Sequence, residues 1–414
     1  MSANNLYRGL FELLTLPQDG DTPAFATLQG GRRELLSVAR MEGCLPELYA
    51  RWAAAGLLSP SESVEHDQLA RRRAAAAEVL SVLPRGSLVA NPGGAQRGSS
   101  TLEVLIADFA AIGGLHEAVG RLGYRLHGVG EWLVPLRGAT PRCFAAFRYA
   151  RTGSAPGAVS IEVQVGGVAL DPRRHLPFPE FAGKAERLAG GACRVLEPAR
   201  ELLHRIARFG AQAEPVTVRQ IADLHLLLKS NAEGIDFAWL HRQLEHHEAW
   251  TGLRKVRDAI SVKRLGALLS WGEFGRLIDA GVTRGEALAA RRAGGPRIGT
   301  LVKGAFDALP SVRDDDIAAK LGRAPWLVSR VLEAGHRVRG VPVSTRTFDA
   351  PRFMRIDGAL YLATGAGLFL LSLVDLDDAA RATLGERART GSRPVVLARW
   401  SAARSVGRSG ARAR

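Results

Sequence analysis

The sequence predicts an α+β fold, because helical and strand patterns occupy separate stretches of the chain. Apolar residues recur at three-to-four spacing from Arg32 to Leu83 and again from Glu197 to about Ala293, as in amphipathic helices. Between these stretches, the short apolar run TLEVLI and the alternating segment SIEVQV are typical of strands, and we expect a hydrophilic loop before SIEVQV. We therefore expect a mixed sheet flanked by helices.

The chain has 414 residues, of which 46% are hydrophobic, so it can bury a large core in two or three domains. Changes in composition divide it into an amino-terminal helical region (1–83), an α/β core (84–196), a helical domain (197–293), a helical and β-hairpin extension (294–386) and a disordered Arg-rich tail (387–414). Within the extension, Asp357-Gly358 lies between apolar runs and predicts a hairpin turn.

Composition favours a cytoplasmic protein that does not enter a membrane. The amino-terminal segment lacks the features of a secretory signal, and the longest apolar run, Ala359 to Val374, is too short and interrupted to span a bilayer. The three cysteines are widely scattered, which fits neither a disulfide framework nor a zinc site.

The net charge of +15 is concentrated in the tail. Eight arginines follow Glu386 with no further acid, which leaves +7 for the preceding residues. A cationic segment of this kind attracts nucleic acid weakly and without sequence preference. The alternative is a solvated tail without a partner.

Two carboxylates in strand segments are the candidate chemical groups. Thr101 and Glu103 stand at i and i+2 of TLEVLI, so they point to the same face of a strand, and Glu162 lies in SIEVQV. We expect Glu103 and Glu162 to lie on adjacent strands with their side chains on the same sheet face, where paired carboxylates can clamp the metal ions that phosphoryl transfer uses. The alternative is that Glu103 and Glu162 are polar positions on an exposed strand face.

The order of several segments extends this pattern. They are, along the chain, LLSVARMEGCLPELYARW, Arg85-Gly86-Ser87, Arg97 four residues before Thr101, TLEVLI, LHEAVGRLGYRL, SIEVQV and VRQIADLHLLLK with Asp223. From about residue 33 to 290, this succession resembles the bacterial family of uncharacterised nucleotidyltransferases with a polymerase-beta-like fold. In that family, a helical prelude, a Lys-Gly turn, an Arg, an Asp-x-Asp strand and a third carboxylate follow one another.

The resemblance implies an NTP as substrate or ligand, Mg²⁺ as cofactor, and a small-molecule, peptide or protein acceptor. It assigns roles to seven residues, which are Arg85, Gly86, Ser87, Arg97 and Thr101 for the nucleotide, and Glu103 and Glu162 for catalysis and Mg²⁺.

The metal-binding cluster departs from the family pattern. Thr101 replaces the first Asp and Glu103 the second, and a threonine hydroxyl is a poor and uncharged ligand for Mg²⁺. The sequence thus leaves open a divergent nucleotidyltransferase and a pseudoenzyme that binds a nucleotide or a partner through the same cleft.

A third alternative is a DNA-binding regulator, because residues 314–340 resemble a helix-turn-helix. However, Pro325, Trp326 and Leu327 stand at the start of the recognition helix, where polar groups that read bases belong. A structural helical hairpin is the better interpretation.

Overall fold

In a computed structural model, the chain forms a mixed β-sheet with helices packed against it, which confirms the α+β prediction. The structure describes residues 3–15, 31–90, 101–127, 130–133, 144–151, 159–171, 174–188, 192–269, 271–293, 328, 338–357, 359–372, 379, 382–386 and 395–399.

The helices of these residues follow the periodic stretches of the sequence. They are α1 Ala3–Thr15, α2 Arg32–Met41, α3 Leu45–Ala54, α4 Pro60–Val82, α5 Ile112–Arg121, α6 Pro179–Ala182, α7 Pro198–Ala211, α8 Val218–Ser230, α9 Phe237–His246, α10 Thr251–Val262 and α11 Gly272–Ala293. The helices predicted for residues 32–83 and 197–293 are therefore confirmed.

The strands are short, and most join one sheet. They are β1 Leu88–Ala90, β2 Thr101–Ile106, β3 Tyr124–Leu126, β4 Gly130–Leu133, β5 Phe144–Arg151, β6 Ser160–Val165, β7 Gly167–Asp171, β8 Arg174–Pro177, β9 Glu186–Arg187, β10 Arg194–Val195, β11 Val338–Ser344, β12 Arg352–Ile356, β13 Ala359–Thr364, β14 Gly367–Ser372 and β15 Val395–Arg399. The order in the sheet is β15-β12-β13-β14-β11-β4-β5-β6-β2-β1-β10-β9, with β3 on β5, while β7 and β8 form a separate pair.

Each face of the central strands belongs to a different core. Leu88 and Leu105 face the cluster that the middle helices and α1 to α3 form. Val104, next to Leu105 on β2, and Val163 on β6 face the other cluster, which contains α5 and the carboxy-terminal end of α4. The period of two in TLEVLI and SIEVQV thus assigns the two faces to two helical layers.

The carboxy-terminal strands extend the core sheet, since β11 pairs antiparallel with β4. The predicted hairpin is also present: β12 and β13 pair up to Ile356 and Ala359, and Asp357 has a φ of 47°. That left-handed conformation suits a two-residue turn between strands.

Two of the predictions from sequence are wrong. The predicted tail is not disordered at Val395–Arg399, because this segment pairs antiparallel with β12 at the edge of the sheet. In addition, β5 lies where we predicted a hydrophilic loop. From Ala145 its residues alternate between buried and less buried positions, and the strand pairs with β6, β4 and β3.

The proposed helix-turn-helix lies almost entirely outside the described residues. None of the helices that the structure describes has the length and apolar composition needed to cross a bilayer.

Candidate functional site

Glu103 and Glu162 lie side by side on the central strands. Strands β2 and β6 are parallel, and their register pairs Glu103 with Glu162 and Thr101 with Ser160. Paired residues of neighbouring strands point to the same sheet face. The expectation that the two carboxylates share a face is therefore confirmed.

Arg208 bridges the two carboxylates. Its Nη1 lies 2.7 Å from Glu162 Oε1, and its Nη2 lies 3.1 Å from Glu162 Oε2 and 3.2 Å from Glu103 Oε1. The carboxylates are half-buried, with 24% of the Glu103 and 13% of the Glu162 side chain exposed. The charge of Glu103 is the main reason that the pKa of Arg208 is raised above its usual value.

Helix α7 brings Arg208 to this place. The helix begins with Pro198 at its first position, where a missing N–H costs no hydrogen bond, and its apolar face is buried. Helix α10 packs closely behind it at Gly252, where a Cβ would lie 1.9 Å from the carbonyl oxygen of Ile206. This close packing holds α7 against the sheet, so that Arg208 reaches across both strands.

His204 lies one turn before Arg208 and is almost fully buried. Its Nε2 is 3.7 Å from Glu103 Oε2 and makes no hydrogen bond with the residues that the structure describes. Burial, and then the charges of Arg208 and Arg205, lower the pKa of His204 to about 3. The imidazole is therefore neutral at neutral pH and cannot neutralise Glu103.

Other polar groups complete this sheet face. The Thr101 and Ser160 hydroxyls are 3.0 Å apart, and Gln164 Nε2 donates to Glu162 Oε1 at 3.3 Å. Arg148 on β5 pairs with Glu162 in the strand register and is exposed. A second cation thus stands beside the bridge on the solvent side.

This arrangement does not fit Mg²⁺. Mg²⁺ demands near-octahedral oxygen ligands, whereas both carboxylates already contact the guanidinium of Arg208. Thr101, at the position of the missing Asp, has its hydroxyl next to that of Ser160. Among the described residues, no group of three or more His, Cys, Asp and Glu side chains is arranged to hold a metal ion.

The predicted phosphate-binding turn lies away from the acid pair. Strands β1 and β2 are antiparallel, with Ala90 beside Glu103 and Leu88 beside Leu105. Arg85, Gly86 and Ser87 precede Leu88, so they lie at the far end of β2, with Ser87 about 10 Å from Glu103 along the strand.

The same turn is tied to another part of the fold. The Ser87 N–H donates to the carbonyl of Pro84 at 2.9 Å, and its own carbonyl accepts from the Arg194 N–H at 3.0 Å. The turn thus connects α4 to β1 and β10. A turn beside Glu103 would have to follow Ala90, and residues 91–100, with Arg97, lie outside the described part of the chain.

The structure thus brings together Thr101, Glu103 and Glu162 of the predicted residues, and adds Arg208 and Arg148. Sequence reasoning missed the two arginines, because each is one of many in an arginine-rich chain. A signal for Arg208 existed in PARELLHRIARF, where Arg208 follows His204 by four residues on a helix with a buried face.

No protein-family model, curated protein or solved structure matches this chain. The resemblance to nucleotidyltransferases therefore stays a prediction, and a function has to be argued from the site itself.

Proposed function

We propose that this chain is a divergent relative of the nucleotidyltransferases that has lost metal-dependent transfer and keeps a binding role at the same sheet face. The observation that carries the proposal is the bridge from Glu103 through Arg208 to Glu162. Two-metal transfer needs ions that contact the attacking and leaving oxygens. A guanidinium has N–H donors only and cannot coordinate an oxygen nucleophile.

The ligand that the resemblance implies is a nucleotide. The described site offers it the guanidinium of Arg148, which is exposed, and the hydroxyls of Thr101 and Ser160. Arginine pairs well with phosphate because its donors match two phosphate oxygens at once. We therefore expect nucleotide binding to depend on Arg148 rather than on Mg²⁺.

Calorimetry with each NTP, with and without Mg²⁺, tests this proposal. We expect an affinity that is the same in both conditions and falls about tenfold or more in Arg148→Met, the usual loss for a charged hydrogen bond. Arg121→Met removes an exposed arginine from α5 and serves as the matched control.

A labelling experiment tests the loss of transfer. Incubation with radioactive NTP, Mg²⁺ and small-molecule, peptide or protein acceptors should yield no labelled product. Mg²⁺-dependent labelling that disappears in Glu103→Ala, but persists in the exposed Glu117→Ala on α5, would mean that the protein is an active transferase.

A further inference from the structure

A cleft opens between the α/β core and the carboxy-terminal strands, with His116 on the sheet face opposite the Glu103–Glu162 pair. Its volume is about 720 Å³, and it is lined by His116, Arg125, Leu126, Pro342, Val343, Ser344, Thr345 and Ala366. The side of the sheet follows from Tyr149, which contacts His116 and packs in the core cluster that includes α5. Small-molecule sites in proteins typically have volumes of about 300 to 1,000 Å³.

The two walls of the cleft are held together by a close backbone contact. A Cβ on Gly365 would lie 2.7 Å from the Cα of Gly113, so the turn between β13 and β14 packs directly on α5. The hydroxyl of Thr364 shapes this turn, because it donates to the Gly367 carbonyl at 3.2 Å and accepts from the Ala366 N–H at 3.1 Å. The α/β core and the carboxy-terminal extension are therefore in direct backbone contact beside the cleft.

Two side chains from the core supply its polar groups. Arg125 Nη1 donates to the carbonyls of Gly120 and Tyr124 at 3.3 and 3.2 Å, so the side chain is anchored at the end of α5 while it remains exposed. His116 Nδ1 lies 3.3 Å from the hydroxyl of Tyr149. Burial, and then the charge of Arg125, lower the pKa of His116, so its ring is a neutral hydrogen-bonding group.

The cleft combines one charge with an apolar wall. Among the described residues that line it, Arg125 is the charged side chain, and no carboxylate is among them. Leu126, Pro342 and Val343 supply apolar surface. An arginine over an apolar wall, without a counter-charge, favours a ligand with an oxyanion at one end and an apolar body at the other.

We propose that this cleft binds a small organic anion. Its carboxylate or phosphate group contacts Arg125, with His116 and the hydroxyls of Ser344 and Thr345 as further hydrogen-bonding partners. Its apolar part packs against Leu126 and Pro342. The site is separate from the Glu103–Glu162 pair, because its lining includes neither these two residues nor Arg208 or Arg148.

Titration calorimetry of the full chain with benzoate and phenyl phosphate tests the proposal and distinguishes the two oxyanions. Benzyl alcohol, which has the same ring without a charge, is the neutral control. We expect saturable binding of at least one anion and at least tenfold weaker binding of the alcohol. Arg125→Met should weaken anion binding about tenfold to a hundredfold, since a hydrogen bond to a charged group is lost. Arg121→Met, an exposed arginine of α5 outside the lining, should leave it unchanged.

A second variant keeps the proposal testable if Arg125→Met disturbs the end of α5. Thr345 is an exposed lining residue, so Thr345→Trp fills the cleft from its open side and leaves Arg125 in place. We expect this variant to melt within a few degrees of the unmodified protein and to lose anion binding. Absence of saturable binding for both anions, or binding that persists in both Arg125→Met and Thr345→Trp, would overturn the proposal. Neither result bears on Arg148 or Glu103, so the two sites are tested separately.

Discussion

Removing the charge of Arg208 should destabilise the protein, because two carboxylates would remain side by side on the sheet. Arg208→Met keeps a long side chain and a good helix former at this position of α7. Fully exposed ion pairs contribute about 0 to 1 kcal/mol, whereas breaking a buried one costs about 3 to 5 kcal/mol. The carboxylates are 24% and 13% exposed and Arg208 is 34% exposed, so the bridge lies between these limits. We expect a loss of about 2 to 3 kcal/mol at pH 7.

Urea unfolding of the two proteins measures this loss, and the slope of the transition should stay the same. Arg8→Met is the matched control, because Arg8 pairs with Glu12 on the exposed face of α1. That exposed pair at i and i+4 should contribute no more than about 0.5 kcal/mol.

A double-mutant cycle identifies the cause of the loss. In a Glu103→Gln background, Arg208→Met leaves one carboxylate instead of two, so its cost should fall to about half of that expected in the unmodified chain. A cost below about 0.5 kcal/mol in the unmodified protein, or an equal cost in both backgrounds, would refute the role of the bridge.

Three further outcomes follow from other parts of the structure. The folded-state pKa of His204 is depressed to about 3, so its contribution to stability is present above about pH 6.5 and is lost as the pH falls toward 3. Between pH 7 and pH 5, the free energy of unfolding should therefore fall by about 2 kcal/mol more in the unmodified protein than in His204→Gln. Glu62 caps α4 and pairs with Arg32, which lowers the pKa of Glu62 to about 2. Glu62→Gln should lower the free energy of unfolding by about 1 to 2 kcal/mol at pH 7, a small value because Arg32 is 41% exposed. This loss should vanish as the pH falls from about 4.5 toward 2. Deleting residues 395–414 removes β15 from the edge of β12 and should lower the melting temperature, whereas deleting residues 401–414 should not.

Patterns that depend on local periodicity were predictable, and features that depend on packing between distant segments were not. The alternation in SIEVQV and the i, i+2 spacing of Thr101 and Glu103 determine which side chains share a face, and the parallel register of β2 and β6 agrees. By contrast, Arg208 reaches the acid pair only because α7 crosses the strands, 46 positions after Glu162. No sequence spacing specifies that crossing.

The predicted turn at residues 85–87 shows a second limit. Sequence order places this turn before TLEVLI, but it does not give the direction of β1 relative to β2. Since the two strands are antiparallel, the end of β1 and not its beginning lies next to Glu103. The edge strand β15 was missed for a related reason, because its partner residues on β12 lie 40 to 47 positions earlier in the chain.

In the proposed function, the bridge accounts for a binding role that persists without transfer. Paired like charges on neighbouring strands repel each other, so a fold that keeps Glu103 beside Glu162 needs a cation between them. A metal ion would neutralise them and would also accept oxygens from a substrate. Arg208 neutralises them permanently, because a guanidinium does not lose its proton in proteins, and it has no position open to an attacking oxygen. We therefore propose that Arg208 takes the place of the metal ions, which keeps the geometry of the sheet face and removes the step that a metal would perform.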